Sequence, residues 1–192
     1  MKSLVLILAA IPAFAQISAR PTPAAASVPA NPAPIVSGQP RSIKIPLSAF
    51  VNLERTFDAR VASMSADNFG PVDLLGATRG IYLDGYGAVF TTEMGLVQTP
   101  TINPFNSTIT EPQKERVHSA KISRLPGLKK AMTEAVRSIA ATLTQVPDDQ
   151  QIVLAVRLDY SSWERTAGLP GLIVAKADRR DALAGNIGVQ EQ

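Results

Sequence analysis

Along this chain the spacing of apolar residues shifts from steps of three and four to steps of two and back, and that alternation sketches a fold. From Pro46 onward Leu47, Phe50, Val51, Leu53, Phe57 and Val61 recur at helical steps, while Asn52, Glu54, Arg55, Asp58 and Arg60 fill the opposite side. This period predicts an amphipathic helix, and Pro46 suits its first turn, where no amide hydrogen is needed. Phe50 and Phe57 are its expected core anchors.

A turn-rich stretch at 66–71 is followed by RGIYLDGYGAVFTTEMGLV. Asp84-Gly85 between apolar runs is a hairpin signal, because such a turn needs a residue that tolerates positive φ. Strands are expected at about 79–83 and 86–97. In the second, Tyr86, Ala88, Phe90, Met94 and Leu96 share one parity and should face inward, with Val89, Thr91 and Glu93 outward. A single strand from Ile81 to Thr92, bulged at Gly85 and Gly87, is the competing reading.

Residues 98–109 read as a polar loop, in which Asn106-Ser107-Thr108 fits the glycosylation pattern. Thr110 opens a helix, with Gln113 as the second half of a capping box, and Pro126-Gly127 is expected to interrupt or restart it. From Leu125, the spacing of Leu128, Met132, Ala135, Val136, Ile139 and Leu143 predicts a long amphipathic helix that ends before Pro147. Asp148-Asp149 then turn the chain into a strand over 151–163, where Ile152, Leu154, Val156, Leu158 and Tyr160 alternate with Val153, Ala155, Arg157 and Asp159. Residues 168–171 turn it back into a strand over 172–177, and Asp178 caps a last helical turn stopped by Gly185-Asn186. The order αββαββ predicts a two-layer α+β domain over residues 42–192, with two helices packed on one face of a four-stranded, mostly antiparallel sheet.

The N-terminal region has a different pattern. Lys2, the apolar run Leu4–Ile11 and Ala13-Phe14-Ala15 read as a cleavable signal peptide over residues 1–15, too short to span a bilayer. Prolines at 21, 23, 29, 32 and 34 mark residues 16–41 as a Pro/Ala-rich linker that favours extended backbone. A periplasmic or secreted location follows.

Composition narrows the function classes. The chain has 192 residues, 45% of them hydrophobic and 18% charged, enough apolar content for a core. It has no cysteine, which excludes disulfides, thiolate metal sites, a cysteine nucleophile and a lipoprotein anchor. A secreted chain without disulfides reads as bacterial. A net charge of +3 on an exported chain gives no expectation of a nucleic-acid partner. The positive excess is local: Lys114, Arg116, Lys121, Arg124, Lys129, Lys130 and Arg137 outnumber Glu111, Glu115 and Glu134. They read as a solvated helix face, with attraction to anionic lipid or cell-wall polymer as the functional alternative.

Catalytic patterns are missing. His118 is the sole histidine and sits among bases, which disfavours a metal. There is no G-x-S-x-G elbow, and Gly85-Tyr86-Gly87 lacks the third glycine and following helix of a dinucleotide loop. Asp84, Glu93 and Asp159 fall on the expected sheet and could form a carboxylate pair. Tyr82, Tyr86, Tyr160 and Trp163 could stack on a ligand, so the candidate binding residues are Tyr82, Asp84 and Tyr86 at the hairpin and Tyr160 and Trp163 at the later strand end. No cofactor, metal or membrane span is expected. The reading is an exported bacterial, non-catalytic binding or accessory module of the cell envelope, with a protein or envelope polymer as partner. A small carboxylate-based hydrolase acting on glycan or peptide is the alternative.

Overall fold

Helix α1 (Leu47–Ser63), strands β1 (Asp73–Leu74), β2 (Arg79–Leu83) and β3 (Gly87–Gly95), helix α2 (Glu111–Thr142), strands β4 (Gln151–Leu158) and β5 (Leu172–Asp178), helix α3 (Arg179–Ala184) and strand β6 (Gly188–Glu191) follow one another in the computed structural model. It describes residues 43–64, 71–100, 102 and 108–192, all within the unit Pro40–Gln192. The signal peptide, the linker and Asn106-Ser107 of the glycosylation pattern lie outside the described residues.

The α+β class holds, but the sheet is larger and mixed. It has six strands in the order β1-β3-β4-β5-β6, with β2 also pairing β3, and not the four mostly antiparallel strands expected. The central pair, β3 and β4, is parallel, from Gly87 opposite Gln151 to Met94 opposite Leu158. The cause is α2. At 32 residues it carries the chain back along the whole length of β3, so β4 starts where β3 started. β1 and β6 were missed because each is short, and the GVQE of β6 is exposed throughout.

β1 and β2 share one edge of β3. Leu74 opposes Met94 and Arg79 opposes Thr91, so four residues, 75–78, face two, Thr92 and Glu93. The edge therefore bulges outward there. Two acids of α1 hold it in place. Asp58 Oδ1 accepts from Thr78 N and Oγ1 at 3.1 and 2.5 Å, and Glu54 Oε1 accepts from Gly80 N at 2.8 Å. Both acids belong to the side of α1 expected to meet solvent, yet Glu54 is buried.

The hairpin reading of Asp84-Gly85 is correct: Tyr86 N donates to Leu83 O and Gly85 has φ 75°. Gly87, at φ 134°, lies so close to β4 that a Cβ there would sit 1.9 Å from the Gln151 carbonyl oxygen.

α1 and α2 cover one face of the sheet. Ala88, Phe90 and Met94 of β3, Ile152, Leu154, Val156 and Leu158 of β4, and Ile173 and Ala175 of β5 are buried beneath them with Phe57, Leu128, Met132 and Val136. The Phe50 and Phe90 ring centroids are 5.6 Å apart. The inward parity is right except at Tyr86, which sits in the turn, off the strand, and is 47% exposed.

Pro126 does not break α2, which runs unbroken through it. Pro126 and Ile122 lie on the exposed side of the helix, so the Ile122 carbonyl that loses its amide partner can bond water.

Candidate functional site

The five candidate residues fall into two groups that the fold keeps apart. Because β3 and β4 are parallel, the hairpin turn lies beside the start of β4, while Tyr160 and Trp163 follow its end. Eight residues of strand separate them, about 26 Å at the usual rise. They do not form one site.

At the hairpin, Asp84 and Tyr86 are exposed, and Tyr82 turns inward and donates from its hydroxyl to Gln150 Oε1 at 2.8 Å. Tyr82 packs against the core, and its hydroxyl ties the hairpin to the start of β4.

At the other end, the segment after β4 is strapped to α2. Lys121 and Glu164 form an ion pair with side chains only 1% and 2% exposed. The Lys121 ammonium also lies 4.6 Å from the centre of the Tyr160 ring and 3.4 Å from Asp159 O. Arg165 pairs with Glu111 and Glu115 at 2.7 Å each, and His118 Nδ1 donates to Arg165 O at 2.9 Å. Tyr160 donates its hydroxyl to Pro170 O at 2.7 Å. Burial, and secondarily the charge of Glu164, pushes the Tyr160 phenol up to about 12. Lys114 and Arg165 hold Glu111 below the usual carboxylate range.

These contacts change the reading of the basic helix. Lys121 and Arg124 are buried, and Arg124 Nη1 donates to Leu96 O at 2.7 Å. Lys129 reaches Glu191 of β6 at 2.5 Å. Much of the apparent positive face is internal bracing, with Arg116, Lys130 and Arg137 left on the surface. Sequence periodicity could not reveal this, because Glu164 is 43 residues from Lys121 in a segment without regular structure.

Trp163 is half-buried and, with Ser161 and Ser162, faces Thr99, Pro100 and Ile102 across a surface hollow of about 330 Å³. Glu93 pairs with Arg157 at 3.5 Å and lines a different hollow. Asp84 lies near the start of β4 and Asp159 beyond its end, so those two cannot act as one carboxylate pair. Among the described residues no three His, Asp or Glu side chains are grouped to hold a metal, and no helix is long and apolar enough to cross a membrane.

A larger feature lies on the side of the sheet away from the helices. Ladder register places Arg79, Ile81 and Leu83 of β2, Val89, Thr91 and Glu93 of β3, Val153, Ala155 and Arg157 of β4, and Leu172, Val174 and Lys176 of β5 on that face. No described helix covers it. Ile81, Val89 and Val153 form one row across three strands, exposed at Ile81 (57%), partly covered at Val89 and only 7% exposed at Val153, with Leu83 of the same face 44% exposed. Charges stand around this apolar centre: Arg79 at one edge, Glu93 and Arg157 at one end, and Lys176 on the far side.

No protein-family model, curated protein or solved structure matches this chain. The geometry must carry the functional reading alone. Sequence reasoning assigned Val89, Thr91 and Glu93 outward but drew no site from that face. The signal was present, since Ile81, Leu83, Val89, Val153, Ala155 and Val174 are all apolar at outward positions.

Proposed function

We propose that this chain is an exported, non-catalytic binding or accessory module of the cell envelope, and that it works through the open face of its sheet. The observation that carries the reading is the exposed pair Ile81 and Leu83, continued inward by the partly covered Val89, on a face no described helix covers. Antiparallel sheets commonly leave one face wet, but such a face is normally polar. A contiguous exposed apolar patch rimmed by charge is the usual mark of an interaction surface. The candidate aromatics support this reading only at the hairpin, where Tyr86 stands beside the exposed Leu83.

The sheet edges are poorer candidates. β6 has four residues, and the opposite edge is broken by the excursion at 75–78. Short, bulged edges resist strand addition.

The test is photocrosslinking in cells that export the chain, with the reactive residue at position 81 and, as control, at position 130 on the helix side. A discrete adduct from 81 and none from 130 is the expected result. Equal labelling from both positions, or none, would refute the reading. Export is checked separately by fusing alkaline phosphatase after residue 41, which is active only outside the cytoplasm.

A further inference from the structure

We infer that the open face docks on the same face of a second copy of this chain, related by a two-fold axis that runs along the strands between β3 and β4. This inference rests on the open face being the interaction surface, and names its partner.

Charge placement points to a self-complementary contact. Glu93 on β3 and Arg157 on β4 are ladder partners, on the same face, at 3.5 Å. Their side chains remain 45% and 71% exposed, so a second copy's charges can reach both. A two-fold axis between those strands lays each copy's β3 over the other's β4. Glu93 then faces the second copy's Arg157, and Arg157 the second copy's Glu93, giving four alternating charges. The same operation sets Val89 over Val153, and Thr91 over Ala155, so apolar and small groups meet in the middle. An isologous interface requires this kind of self-complementarity.

Net charge agrees. Arg79, Arg157 and Lys176 oppose Glu93 and Asp178, which leaves the face close to neutral, and two copies meet without large repulsion. Size fits a small, reversible interface. Under this operation β3 lies over β4 and the five-residue β2 over β5, and strands about 4.8 Å apart then give a flat footprint of roughly 400 Å², which with side-chain relief reaches the low end of specific interfaces. Packing of two sheets across inner faces about 10 Å apart is a common arrangement.

The experiment is sedimentation of the full chain and of charge-reversed variants. The wild type is expected to be a dimer at micromolar concentration. Glu93→Arg makes the end of the face wholly positive and Arg157→Glu makes it wholly negative, so each alone is expected to dissociate more than tenfold more readily. An equimolar mixture of the two variants should recover a dimer, because the like charges that repel within each homodimer attract across a heterodimer. Circular dichroism of each variant confirms folding, and both substitutions sit at exposed positions. Three results would overturn the inference: a monomeric wild type, a dimer that neither variant weakens, or weakened variants whose equimolar mixture does not recover a dimer. A monomeric wild type that still crosslinks through position 81 to a different molecule would overturn the second copy while leaving the open face as the binding surface.

Discussion

The two faces of this sheet are built from alternate residues of the same strands, and they obey different rules. On the helix face Phe90, Leu154 and Ala175 lie in one ladder row and are essentially inaccessible to water. One residue away, Val89, Val153 and Lys176 form the next row on the open face, with no described helix above them. Both faces have an apolar centre. The difference is that helices close the first, while of the apolar side chains on the second only Val153 is buried and Ile81 and Leu83 stay exposed, so apolarity on the first stabilises the fold and at the edge of the second is available for association. Substitutions on the two faces should therefore separate cleanly.

The largest expected effect is on the closed face. Phe90→Ala removes a ring that packs on Phe50 beneath both helices, and should cost about 4 kcal/mol in denaturant unfolding. Val89→Ala, next in sequence but outward, should cost under about 1 kcal/mol. Equal losses would mean that Val89 is also closed within the chain.

The strap at the far end of β4 comes second. Lys121→Met leaves Glu164 buried without its cation, which should destabilise by about 3 kcal/mol. The double variant Lys121→Met with Glu164→Leu should recover much of that loss, because the cost lies in the uncompensated charge. A double variant as unstable as the single one would show that the pair contributes directly. Gly87→Ala should follow, at about 2 kcal/mol, since its Cβ would collide with the Gln151 carbonyl and its φ is positive.

Tyr160 gives the pH dependence. Its folded value of about 12 lies above the ordinary value of 10, so the unfolded chain loses the phenolic proton first as pH rises. The phenol's contribution is thus fully present below about pH 10 and lost between about pH 10 and 12. Tyrosinate absorbance should show a late phase that Tyr160→Phe abolishes. The same variant removes the bond to Pro170 O, worth about 1 kcal/mol at neutral pH.

What could be read from the sequence follows from how local each cause is. The period of α1, the turn at Asp84-Gly85, the parity of β3 and β4 and the capping contact of Thr110 N with Gln113 Oε1 at 2.8 Å depend on neighbours within a few residues. The parallel pairing of β3 with β4 depends on where a 32-residue helix ends, and no local pattern states that. The strap joins Lys121 to Glu164 and Arg165 to Glu111 across some fifty residues, so its members looked like solvated charges. Asp178 shows the same limit: it stands at the start of α3 as expected, but its carboxylate accepts from the Gln151 side chain and not from the helix backbone. Of the candidate aromatics only Tyr82 lies on its expected strand: Tyr86 sits in the turn before β3, and β4 ends at Leu158, short of Tyr160 and Trp163, because the chain leaves the sheet there for the strap to α2.

The smallest expected effect on stability is the most useful one. Ile81→Lys places a long, flexible cation at a position already 57% exposed on the edge strand β2. Its ladder partner is Val89, so the backbone register is unchanged and folding should shift by no more than about 0.5 kcal/mol. Lysine on an edge strand also suppresses association. The variant should therefore melt with the wild type, yet lose binding through the open face. Phe90→Ala is the converse, weakening the fold while leaving every outward side chain in place. If Ile81→Lys unfolded the chain, Ile81 would belong to a closed core and the distinction between the two faces would fail at its most exposed point. If it left both folding and binding intact, the apolar row would be ordinary surface, and the search would move to the hollow beside Trp163.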